Sequence, residues 1–229
     1  MSIPYCGTPP LPGAVAWNLD PVLLAVLVAG GALLAWRGRG TALLGWVLAG
    51  LMLISPLCNL SVALFSARVA QHLVLIFLAA PLLAQGVALG RFGVGLPALC
   101  FGAALWAWHL PGPYLSSFDS HAVYWAMQLT LLGTATWLWG AISVAQPGSA
   151  LLAVLGTAAQ GGALGALLTL AQRPLFITAH TPGITAPWGL TPLEDQQIGG
   201  LLMWVPGGLL FVAASIVALT LALRPRPAV

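Results

Sequence analysis

Lysine is absent from this 229-residue chain, and acidic residues nearly so: seven arginines, four acids and four histidines are its only ionisable groups besides cysteine and tyrosine. With 5% charged residues and 60% hydrophobic ones, the chain cannot coat a water-exposed surface, which excludes a soluble domain. The pI near 9.1 comes from a few arginines at the ends of apolar runs, so it is a mark of membrane orientation and gives no nucleic-acid footprint. Cysteine is scarce too. Cys6, Cys58 and Cys100 lie far apart with no CxxC or CxxCH, which excludes a zinc ribbon and c-type haem attachment. The first twenty residues lack a basic stretch and are rich in Pro and Gly, so the first apolar run is expected to remain as a span and not to be cleaved as a signal.

What the chain does have is long apolar runs. A bilayer core takes about 20 apolar residues per helix. Seven runs qualify: Pro21–Trp36, Ala42–Leu60, Val69–Leu89, Gly95–His109, Ala122–Ile142, Leu151–Leu170 and Ile198–Leu223. The expectation is an all-α polytopic bundle of about seven transmembrane helices, one integral membrane domain over 1–229. Pro56 should kink or end the second run. Arg37, Arg39, Arg91, Arg224 and Arg226 fall on one side of this arrangement, and every histidine and acid falls on the other. By the positive-inside rule, the arginine side is cytoplasmic, and the N-terminus, with a tail over 1–20, lies outside. Gly161-xxx-Gly165 allows close helix packing in the sixth run.

The outer side then holds everything able to do chemistry. His72 lies one turn after Arg68, on the same helix face. His109 closes the fourth run; His121 opens the fifth, after Asp119 and Ser120, either of which can cap it. His180 sits in a long loop, where a histidine is ordinarily solvated. Glu194, Asp195 and Gln196 stand just ahead of the last run, favoured there by the helix dipole and available to pair with Arg68 or Arg173. His72, His109 and His121, with Met203 and Cys58, form a soft and borderline ligand set that suits copper better than magnesium or calcium. Arg68, Asp119, Arg173, Glu194, Asp195 and Gln196 are the expected anchors.

Several segments together resemble a known family. They are Ala16-Trp17-Asn-Leu-Asp20-Pro21, Gln71-His72-Leu-Val-Leu with Ala80-Pro81-Leu-Leu, Trp108-His109-Leu-Pro111, and most specifically Asp195-Gln-Gln-Ile-Gly-Gly-Leu-Leu-Met203-Trp-Val-Pro-Gly-Gly208. In this order they resemble the seven-span CtaG-type cytochrome c oxidase assembly factors first linked to caa-type oxidases. The resemblance implies a non-enzymatic factor in the bacterial inner membrane, in contact with lipid and with haem–copper oxidase subunits. It would aid copper insertion from the periplasmic face. The family's His-x-x-x-His in the third span has Arg68 at its first position here. Its His-x-x-Glu-His in the fifth keeps His121 but has Tyr124 and Trp125 at the other two. Two other functions fit the residues: an accessory structural subunit of a respiratory complex, and a haem-binding protein with His72, His109 and His121 as axial candidates. Haem ranks behind copper, because axial ligation favours histidines at matching depth on facing helices.

Overall fold

The computed structural model describes residues 3–85 and 93–222. Arg91, Arg224 and Arg226 lie outside the described residues. Among those described, the chain is helical throughout, with no strand. After the tail come α1 (Pro21–Trp36), α2 (Gly40–Ile54), α3 (Pro56–Ala63) and α4 (Phe65–Ala84). There follow α5 (Gly95–Trp108), α6 (Pro111–Asp119), α7 (His121–Val144), α8 (Pro147–Leu170), the single turn α9 (Pro182–Thr185) and α10 (Pro192–Ala222).

Three of these are long and apolar enough to cross a membrane, Phe65–Ala84, Pro147–Leu170 and Pro192–Ala213. A fourth span results if α2 and α3, bent by 49°, count as one. The bend falls at Ser55-Pro56, where proline cannot donate back to the preceding turn. α1 and α5 are apolar but have only 16 and 14 residues. α7 has 24 residues and carries Gln128, Thr130, Thr134 and Thr136 in its length.

Local sequence explains the helix boundaries. Asp20 caps α1 by accepting from the Leu23 amide at 2.8 Å, with Pro21 in the first turn. Ser120 caps α7 by accepting from Val123. Thr191 and Glu194 form a capping box on α10: the Thr191 amide donates to Glu194 Oε2 at 2.8 Å and the Glu194 amide to Thr191 Oγ1 at 3.2 Å. In α4, residues Leu75–Ala79 make a π-helical turn just before Pro81. Pro81 has no N–H to give to a carbonyl one turn back, and the indole of Trp139 donates to the Ile76 carbonyl at 2.8 Å.

The helices close on one another through small residues. α8 and α10 meet at Gly165 and Gly200, where a Cβ on Gly200 would come within 2.7 Å of the Gly165 carbonyl oxygen. Gly161, the other half of the sequence motif, faces open space. The main apolar core gathers Phe65, Val69, Phe101, Leu105, Leu164, Leu168 and Met203 from α4, α5, α8 and α10.

Candidate functional site

One end of the bundle collects the tail, α3, α6, the 171–191 connection and the start of α10. Asn59 ties the tail down, its Nδ2 donating to the carbonyls of Cys6 and Thr8 and its Oδ1 accepting from the Ala16 amide. Cys6 and Cys58 are joined in a disulfide. This corrects one expectation: as a disulfide sulfur, Cys58 offers no thiolate and drops out of the ligand set. The pairing escaped sequence reading because 52 residues separate the two cysteines and only the folded tail brings them together. Disulfide sulfurs carry no hydrogen, so the buried Tyr124 hydroxyl, 3.3 Å from Cys6 Sγ, is the donor there and itself accepts from Gln128 Nε2.

Asp195 is fully buried and joins two helices. Its carboxylate accepts from the Phe65 amide at 2.6 Å, the Ser66 amide at 3.1 Å and the Ser66 hydroxyl, so a side chain of α10 caps the N-terminus of α4. Gln196 beside it accepts from the Leu175 amide and donates to the Leu168 carbonyl, pinning the end of α8. Neither Arg68 nor Arg173 is among the Asp195 partners. Arg173 is exposed on the 171–191 connection, because helix amides already supply the donors the buried carboxylate requires. Asp119 ends α6 and is exposed.

Arg68 turns toward α6 instead. It is buried, donates to Ser117 Oγ at 2.8 Å, and its guanidinium carbon lies 4.0 Å from the Phe118 ring centroid and 5.0 Å from that of Tyr114. Its Nε has no partner. His180 is likewise buried, 2% exposed, which corrects the expectation of a solvated loop histidine. Nδ1–H donates to the Ala63 carbonyl, and Nε2 accepts from the Tyr114 hydroxyl at 2.7 Å. Burial lowers the His180 pKa from 6.5 to about 3, and burial raises that of Tyr114 above the ordinary phenol value. His180 is thus a neutral structural link between α3 and α6.

The three histidines expected to converge do not. His121 is exposed, with Nε2 at 3.0 Å from the Ile3 carbonyl and its ring edge-on to Tyr5. The segment between His109 and His121 is the helix α6, not an open loop, and it carries His121 out to the tail. Among the described residues, no three of His, Cys, Asp and Glu come together in a metal-holding group. What does come together is a smaller set. His72, His109 and Met203 line one cavity of about 30 Å³, closed by Val69, Leu105 and Leu131. An adjoining cavity of about 10 Å³ is lined by His72 and His109 again, with Arg68, Tyr114 and Trp108. His109 Nδ1 is 2.7 Å from the Leu105 carbonyl, which only accepts, so that nitrogen carries the proton and Nε2 keeps its lone pair. His72 Nε2 is buried without a partner. Two histidines and a methionine lining a space for one ion or water are a residue set whose chemistry fits a soft metal.

The model of the family described as cytochrome c oxidase caa3 assembly factor matches residues 94–224, which include His109, His121, Asp195 and Met203 but not His72 or Arg68. No curated protein and no solved structure matches the chain. The match spans more than half of the chain and includes the Asp195–Gly208 segment, which caps α4, packs Gly200 on Gly165 and brings Met203 to the histidine pair. The chain belongs to the cytochrome c oxidase caa3 assembly factors.

Proposed function

We propose that this assembly factor holds copper transiently between His72, His109 and Met203 and gives it up to a haem–copper oxidase at the outer face of the inner membrane. The observation that carries this reading is the shared cavity: His72, His109 and Met203, from α4, the end of α5 and α10, line one small space. Two or three neutral N and S donors bind copper weakly enough to release it, which suits transfer over storage. The cavity is also too small for a macrocycle, since pockets for cofactor-sized ligands run to about 300 Å³ and more. That favours an ion over haem.

The orientation belongs to the same proposal: seven passages of the membrane, N-terminus outside. Two features support it. Arg37 and Arg39 sit at the α1–α2 connection, at the opposite end from the tail, and basic connections stay cytoplasmic. The Cys6–Cys58 disulfide ties the tail to α3, and disulfides persist on the oxidising side. The test is titration of the full-length protein in lipid nanodiscs with copper(I) against a competing chelator. One equivalent should bind to the wild type, and His72→Ala should weaken binding at least tenfold. Stoichiometric copper unaffected by that change would overturn the assignment.

A further inference from the structure

We propose that Arg68 makes the histidine–methionine cavity selective for a soft monovalent ion and against divalent ones. The inference rests on the reading of that cavity as a metal site and adds a charge rule to it. His72 and His109 line both the ligand cavity and the smaller one beside it, and Arg68 lines the smaller one. A fixed positive charge therefore stands next to the ligands, in an interior with little water to screen it. The guanidinium cannot swing away: Ser117 Oγ holds Nη1 at 2.8 Å, and the Phe118 and Tyr114 rings hold the guanidinium by its face.

The ligand set offers no charge to offset this. Two neutral imidazoles and a thioether give lone pairs only. Coulomb repulsion scales with the product of the charges, so a divalent ion in the cavity is repelled twice as strongly as a monovalent one. Soft donors in low number already favour copper(I) over zinc or copper(II), and Arg68 adds to that preference electrostatically. Arginine is the residue suited to this task because a lysine there would lose its proton when buried. Arg68 thus acts as a specificity-determining residue that never touches the ion.

The experiment uses the full-length protein in nanodiscs with silver(I) as the redox-inert monovalent probe and zinc(II) as the divalent one. The wild type should bind silver and exclude zinc. Arg68→Leu should tighten zinc by about tenfold or more relative to silver, the size expected from removing one fixed charge at short range. Arg68→Gln, which keeps an amide for Ser117, is the second neutral variant, and retained silver binding shows that either variant keeps its site. Wild-type protein that takes zinc as tightly as silver would overturn the proposal. So would a silver-to-zinc ratio that stays within twofold of wild type in both variants. Failure of the metal reading has a different signature: neither ion binds to the wild type, or silver binds without regard to His72→Ala.

Discussion

At the level of single residues, buried polar groups at the tail end of the bundle divide into those with complete partners and those without. Asp195 and His180 are complete. Asp195→Asn would set an amide N–H against the Phe65 or Ser66 amide, trading an accepted bond for a donor facing a donor. The expected cost is about 2–3 kcal/mol, read as a lower thermal midpoint in detergent; an unchanged midpoint would remove Asp195 as the cap of α4. His180 brings a pH dependence. Its folded pKa of about 3 lies below the unfolded value near 6.5, so between these limits the unfolded chain binds more protons. Stability is therefore full above pH 6.5 and falls on acidification toward pH 3, by at most about 1.4 kcal/mol per pH unit. Thermal midpoints at pH 8 and pH 5 should differ more for the wild type than for His180→Asn, and equal differences would contradict this. These roles were only partly legible in the sequence. Asp195 stood out as an acid at a span end, but nothing in a linear reading shows that its donors lie 130 residues away on another helix. His180 looked like a loop residue because its partners, Ala63 and Tyr114, come from elements distant in sequence.

At the level of elements, the apolar runs gave the helices, and short polar signals set their ends. The Thr191-x-x-Glu194 box lengthens the last helix by six residues beyond its apolar run and draws Glu194, Asp195 and Gln196 into its first turn. That signal was present in the sequence, whereas the acidic pair was read as favouring the dipole or pairing with Arg68 or Arg173. The helix α6 between His109 and His121 was not legible, since Pro111-Gly-Pro113 reads as a loop, yet proline fits the first turn of a helix. The close contact of α8 with α10 gives a paired prediction. Gly200→Ala should cost about 1–3 kcal/mol, because its Cβ meets backbone atoms of Thr169 and Gly165 that cannot give way. Gly161→Ala, facing open space, should be neutral in the same thermal assay. A third substitution probes the π-helical turn: Trp139→Phe leaves the Ile76 carbonyl without its donor and should lower stability by about 1–2 kcal/mol.

For the molecule as a whole, the account joins a bundle of apolar helices to a polar end fastened by a disulfide, a capping carboxylate and the Tyr124 hydroxyl. Thiol counting checks the first of these fastenings: one alkylatable cysteine, Cys100, in the oxidised denatured protein and three after reduction. The family and the membrane character could be read from the sequence because they depend on composition and on an ordered set of motifs. Which histidines meet could not, because that depends on how α6 and the tail redirect the chain, and no pattern in the sequence encodes it. The central claim is that His72, His109 and Met203 serve copper delivery to the oxidase. The measurement that tests it most directly is the copper-to-haem ratio of oxidase purified from cells that lack the factor and carry either the wild type or the His72→Ala/His109→Ala variant. With both proteins accumulating to the same level, the account predicts a copper-deficient oxidase with the variant and a full complement with the wild type; an oxidase of normal copper content with the variant would contradict it.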